Sequence, residues 1–220
     1  DGAGAVVLTS AGHIFCAGVD LFRVVDGGPD YVRRFLPAFA ELMFALFAVE
    51  VPLVAAASGH AIAGGAVLLA AADYRLMSDG EGKVGFTELQ VGLPFPPAAL
   101  EVIRFGVPSR RLQDVLFGAA TYPCAEALAL GLIDEVVEPA RLVPRALEIA
   151  QRYAAPRAAL ALTTRQLRAA TLARMREAER TFAEAVTQAW CAERTHALIR
   201  DYLARTVGRR AARESEGVRQ

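Results

Sequence analysis

The chain has 220 residues, 54% of them hydrophobic and 22% charged, enough for one globular domain with a large core and a helical appendage. Its 24 basic residues balance 24 acidic ones, so the charge gives no reason to expect nucleic acid or an acidic membrane as a partner. No run of about eighteen apolar residues predicts a membrane span, and no basic leader precedes a hydrophobic segment.

Residues 5–10 (AVVLTS) read as a buried strand, entered so soon that a preceding segment is expected to be missing from this sequence. Residues 11–21 (AGHIFCAGVDL) form a connection whose two glycines predict a bent loop with close backbone approach. Gly27, Gly28 and Pro29 mark a surface turn, and Asp30 is placed as the N-cap of a helix over 31–48. Phe35, Phe39, Leu42, Met43 and Leu46 recur on one face of that helix. Residues 51–58 (VPLVAAAS) are short, apolar and bounded by turn residues, which predicts a buried strand. Gly64 and Gly65 then turn the chain into an apolar helix over 66–72, and residues 73–78 return as a strand. Strand, loop, helix and strand in succession predict an α/β layered domain.

Residues 92–97 (GLPFPP) hold too much proline for a helix interior and are expected to be a fixed loop. Short helices are predicted over 98–105, 109–117 and 124–130, with a strand over 133–137. From Pro139 the pattern is helical, to about residue 153, then over 157–170 and 173–205, ahead of a polar, frayed tail over 208–220. The organisation expected is an α/β core over 1–138, a helical region over 139–207 and the tail. Cys16, Cys124 and Cys191 are odd in number and lack metal-type spacing, which predicts reduced thiols, no metal site and a cytoplasmic setting.

The chemistry concentrates in residues 59–88. Free N–H groups where the Gly64–Gly65 helix starts carry partial positive charge and favour a negative oxygen. Glu88 lies among Val84, Phe86, Leu89 and Val91, and a carboxyl group in such company has a raised pKa and exchanges protons near neutrality. This reads as half of an oxyanion site with an acid/base beside it. Asp20 is expected to bond nearby backbone N–H groups, and His13, His60 and Cys16 to play no part in the chemistry.

Taken together, these stretches resemble the crotonase superfamily of enoyl-CoA hydratases and isomerases. Phe15, Cys16, Ala17, Gly18, Val19 and Asp20 match its first signature, and VPLVAAASGHAIAGGAVLLAAAD its second; the likeness extends over residues 5–205. It implies a crotonase-like spiral of ββα units with a helical C-terminal region that assembles homotrimers or dimers of trimers. It also implies an acyl-CoA thioester as substrate, with coenzyme A part of that substrate and no separate cofactor. By position, the N–H groups of Val19 and Gly64 would hold the thioester oxygen and Glu88 would be the catalytic acid/base. Ala17, Gly18, Val19, Asp20, Leu21, Gly64, Thr87 and Phe95 would form the substrate-binding set.

The departures from the family pattern narrow the reaction. Hydratases of the superfamily use two glutamates, and the first would fall at Val67; a dienoyl isomerase needs an aspartate where this chain has Pro96. A single retained glutamate is the pattern of the Δ3,Δ2-enoyl-CoA isomerases. The expectation is therefore isomerisation of 3-enoyl-CoA to 2-trans-enoyl-CoA, with a hydratase or other acyl-CoA lyase, or a non-catalytic acyl-CoA-binding homologue, as alternatives.

Overall fold

The computed structural model describes residues 3–155 and 157–217. Strands alternate between two sheets. The first holds β1 (Val6–Thr9), β3 (Leu53–Ala57), β5 (Tyr74–Ser78) and β8 (Glu135–Val137) in that order, all parallel. The second holds β2 (Ile14–Cys16), β4 (His60–Ile62), β6 (Lys83–Gly85) and β7 (Tyr122–Pro123), with β7 antiparallel to β6. The first three turns of the chain each lay one strand in each sheet before a helix, which is the expected spiral; in the last, a helix over Cys124–Leu130 separates β7 from β8. The three-residue strands β2, β4 and β6 lie where the sequence predicts only loop. Three residues are too few for a period-two pattern to register.

Strand β3 shows why its run of apolar residues is needed. All five of its residues are buried, as expected for a parallel strand covered on both faces. Val54 and Ala56 face α6 (Leu142–Ala154) and pack with Leu142, Ala146 and Ile149. Ala55 and Ala57 face the other way, into a cluster with Met43, Phe47, Met77 and Val102. The alternation places this strand between two hydrophobic layers.

Helix α1 (Leu21–Phe47) departs most from expectation. It begins ten residues before the predicted start, capped by Asp20, whose Oδ1 accepts from the Arg23 N–H at 3.2 Å. The Gly27-Gly28-Pro29 turn signal appears as a kink inside the helix, with Gly28 at φ 56° and ψ −154°. Its buried stripe is Val24, Val32, Leu36, Ala40, Met43 and Phe47. The predicted stripe is therefore rotated: Phe35 and Phe39 are half-buried and Leu42 is 44% exposed.

Helix α2 (Gly64–Ala70) is followed by α3 (Pro97–Gly106), α4 (Leu112–Gly118) and α5 (Cys124–Leu130), close to the predicted short helices. Helix α7 (Arg157–Cys191) runs unbroken through the predicted gap at 170–173, where nothing stronger than Thr171 interrupts it. The break falls instead at Ala192, before α8 (Glu193–Gly217). There Thr195 Oγ1 donates to the Ala189 carbonyl at 2.7 Å, and the His196 ring meets the Trp190 carbonyl at 2.9 Å. Those contacts satisfy carbonyls that the end of α7 leaves open. The predicted frayed tail from 208 is helical as far as Gly217, and residues 218–220 lie outside the described residues.

Buried Arg168 ties α7 to the core. Its Nη1 donates to the Phe47 and Val49 carbonyls at 3.1 Å each, and its Nη2 donates to Asp73 Oδ1 at 2.5 Å. Asp73 Oδ2 in turn accepts from the Leu53 N–H at 2.9 Å, at the start of β3. One guanidinium thus joins α7, the end of α1 and the strand that leads into the site.

Candidate active site

The loops after β2 and β4 meet with almost no space between their backbones. A Cβ on Gly18, which sits at φ 88°, would lie 3.0 Å from Ala63 Cβ and 3.1 Å from the Gly64 nitrogen. A Cβ on Gly65 would lie 2.0 Å from the Cys16 carbonyl oxygen, a contact no side chain survives. Glycine is required at both positions, by torsion at the first and by space at the second. Between them Ala63 takes φ 51° and ψ −122°, a conformation L residues rarely adopt. It is held there by its N–H donating to the Gly85 carbonyl at 2.7 Å and its carbonyl accepting from the Val67 N–H at 3.1 Å. Strain of this kind persists only where the surroundings fix it, and it gathers at functional sites.

Among the described residues, neither the Val19 N–H nor the Gly64 N–H has a hydrogen-bond acceptor. Both residues border one cavity of about 310 Å³. Glu88 borders the same cavity and opens a 3-10 turn, Glu88–Val91. That turn is pinned at several points. The Leu93 N–H donates to the Glu88 carbonyl at 3.1 Å, the Gln90 N–H to the Thr87 carbonyl at 3.0 Å, and Gln90 Nε2 to the Ala119 carbonyl at 2.6 Å. Gly92 at φ 69° closes it in the left-handed region.

Glu88 is 8% exposed, and its Oε2 is buried with no hydrogen-bond partner among the described residues. Burial pushes its pKa up to about 7, against a smaller opposing effect of the Glu88 and Thr87 backbone N–H groups. Near neutrality the carboxyl group therefore occupies both protonation states, which is what a group that takes and returns a proton needs. An unpaired carboxylate oxygen is costly to bury, and its natural partner is a ligand in the cavity it faces.

The structure brings Ala17, Gly18, Val19, Leu21, Gly64, Thr87 and Glu88 together around this one cavity. It does not bring Asp20 or Phe95. Asp20 is exposed and spends its carboxylate on capping α1, while Phe95 packs against the core. The proline-rich loop offers Leu93 and Pro96 to the cavity in place of Phe95. Val67 is 1% exposed and packed in the core, and it is the adjacent Leu68 that borders the cavity. The sequence reading also misses Phe35, Phe39 and Leu42, whose helical spacing looks like a core stripe. Trp190 and Tyr202 close the far wall from α7 and α8, and nothing in their local sequence announces it.

A model of the enoyl-CoA hydratase/isomerase family matches residues 1–196. The chain belongs to the enoyl-CoA hydratase/isomerase family. Human mitochondrial enoyl-CoA delta isomerase 1 is 30% identical over 174 residues, covering 78% of this chain and 58% of that protein. The crystal structure of human mitochondrial Δ3,Δ2-enoyl-CoA isomerase superposes with a TM-score of 0.83 at 29% identity, covering 93% of this chain and 81% of that one. An enoyl-CoA hydratase structure from Mycobacterium marinum superposes with a TM-score of 0.73 at 32% identity, covering 83% and 79%. The fold is thus the crotonase fold, and the family's members carry both hydratase and isomerase names. The chain spans about three fifths of the length of the curated relatives it matches.

Proposed function

We propose that this family member isomerises 3-enoyl-CoA thioesters to 2-trans-enoyl-CoA. The observation that carries the reading is a single buried carboxyl group, Glu88, facing an otherwise apolar cavity that two unpaired backbone N–H groups also border. In this mechanism the Glu88 carboxylate removes a proton from C2. The electron pair moves through the conjugated system onto the thioester oxygen, which the Val19 and Gly64 N–H groups stabilise. Each well-aimed donor of this kind is typically worth about 3 kcal/mol. The protonated Glu88 then returns the proton at C4, and the double bond comes to rest between C2 and C3. No water is consumed, so one carboxyl group suffices.

Hydration would need a second acid to position water. Glu88 is the sole acidic side chain among the described residues bordering the cavity, and Ile62, Leu68 and Leu93 are apolar neighbours there. A non-catalytic acyl-CoA-binding role requires the same oxyanion site but gives Glu88's unpaired oxygen no task. Coenzyme A enters as part of the substrate, with no further cofactor. The working form we envisage is a cytoplasmic homotrimer or dimer of trimers, which would give exposed apolar side chains such as Leu162, Leu167 and Phe182 on α7 a surface to cover. The test is to assay 3-hexenoyl-CoA isomerisation beside crotonyl-CoA hydration. Isomerisation is expected to exceed hydration in kcat/KM by about a hundredfold or more, the scale of one missing catalytic acid. Hydration equal to or faster than isomerisation would sink the reading.

A further inference from the structure

We propose that Tyr202 is a partition that limits the acyl chain this site accepts, closing the cavity against a second hollow behind it. The inference rests on the acyl-CoA reading above and concerns the carbons beyond C4. Glu88 has to reach C2 and C4, so the remaining carbons must leave past it into the apolar end of the cavity. Val91 and Leu93 wall that end from Glu88's own turn and the loop after it, and Trp190 and Tyr202 wall it from α7 and α8.

The two aromatic walls differ in how they are held. Trp190 is 2% exposed, donates from Nε1 to the Pro94 carbonyl at 2.9 Å, and stacks on Phe35 with ring centroids 6.0 Å apart. It is a fixed floor. Tyr202 is half-buried against the same apolar cluster, and its hydroxyl makes no hydrogen bond among the described residues. It also borders a second hollow of about 450 Å³, whose other walls are Gln90, Arg205 and Thr206. One side chain therefore separates two volumes, and it bounds the first by its bulk.

Each of the far walls holds a hydrogen bond. Gln90 is anchored to the Ala119 carbonyl, Arg205 Nε donates to the Asp201 carbonyl at 3.2 Å, and Thr206 Oγ1 donates to the Tyr202 carbonyl at 2.8 Å. The methylene stems of Gln90 and Arg205 offer apolar surface to a chain that passes the partition. On the near side, about 310 Å³ corresponds to roughly ten water-sized groups, part of which the thioester takes. The remainder suits an acyl chain of roughly six to eight carbons, since a methylene is about the size of a water.

Saturated acyl-CoAs bind without turning over, so titration calorimetry with hexanoyl-CoA and decanoyl-CoA isolates this effect from catalysis. The protein is expected to bind hexanoyl-CoA at least tenfold more tightly, because a closed apolar pocket discriminates by roughly tenfold or more per misfitted methylene. Tyr202→Ala is expected to bring the two affinities within about threefold or to reverse them, on the same scale. Tyr202→Leu keeps an apolar group in the cluster while shortening it. It should move the ratio in the same direction, and it decides the matter if the alanine variant does not fold. Equal binding of the two ligands by the unmodified protein overturns the partition alone, as does an unchanged preference in a folded variant. Failure to bind either ligand overturns the acyl-CoA reading as well.

Discussion

Glu88→Gln is expected to lower turnover on 3-hexenoyl-CoA by about a thousandfold, within the range a positioned acid/base contributes, and to make the protein more stable above neutral pH. Both effects come from one buried carboxyl group. Glutamine keeps the shape of the side chain, so the hollow around Glu88 and the pinned turn Glu88–Val91 are retained, but it neither accepts nor returns a proton. A loss of less than about tenfold would contradict the assignment, since removing the only shuttle leaves just binding and the oxyanion site.

The stability effect has a definite sign. Folding raises the Glu88 pKa from 4.5 to about 7, so the folded protein holds a proton there more tightly than the unfolded chain does. Between those values the native state binds more protons, and stability falls as pH rises through the window. Above about pH 7 the full cost is present, on the order of 3 kcal/mol for a shift of this size. Glutamine removes that cost. Urea unfolding is expected to show Glu88→Gln more stable than the parent by about 1–3 kcal/mol at pH 8 and nearly equal to it at pH 4. A gain independent of pH would point to packing instead of ionisation.

Gly65→Ala is the second large effect. Its Cβ would lie 2.0 Å from the Cys16 carbonyl oxygen and 2.7 Å from the carbonyl carbon, both backbone atoms of β2 with no rotamer to escape through. One of the two loops must move, and the Val19 and Gly64 N–H groups separate as it does. Losing the aim of one such donor costs about a hundredfold or more in kcat, and overpacking of this kind costs about 1–3 kcal/mol of stability. Gly4→Ala is the control. Its Cβ would meet Ala154 Cβ at 3.7 Å, an ordinary contact, and turnover should be unchanged. If Gly65→Ala retained full turnover, the close approach of the two loops would have no bearing on the oxyanion site.

The parts of the site legible in sequence were those whose chemistry is local. Gly18, Gly64 and Gly65 stand where backbone must approach backbone, and Glu88 stands among apolar neighbours that a short window already contains. Side-chain direction was not legible. Val67 and Leu68 differ by one position on α2, about 100° of helical rotation, and that rotation alone decides which enters the core and which borders the cavity. Phe35, Phe39 and Leu42 carry a helical period that core packing and cavity lining produce alike. Asp20 and Asp30 both precede helical sequence, and a cap is chosen by where the chain leaves β2, a tertiary matter. Trp190 and Tyr202 reach the cavity from about a hundred residues further along the chain, beyond the reach of any local pattern. The three-residue strands of the second sheet are fixed by pairing with one another, Ile14 with His60 and Ala61 with Val84, not by their own propensity.

The central claim is that one buried carboxyl group, titrating near neutrality, carries the proton. The pH dependence of kcat/KM for 3-hexenoyl-CoA measures it most directly, because that parameter reports the ionisation of the free enzyme. The base must start ionised, so the rate is expected to rise about tenfold per pH unit below pH 7 and level off above it. That inflection should be absent from the residual activity of Glu88→Gln. A profile flat from pH 5 to pH 8, or the same inflection persisting in Glu88→Gln, would contradict the account.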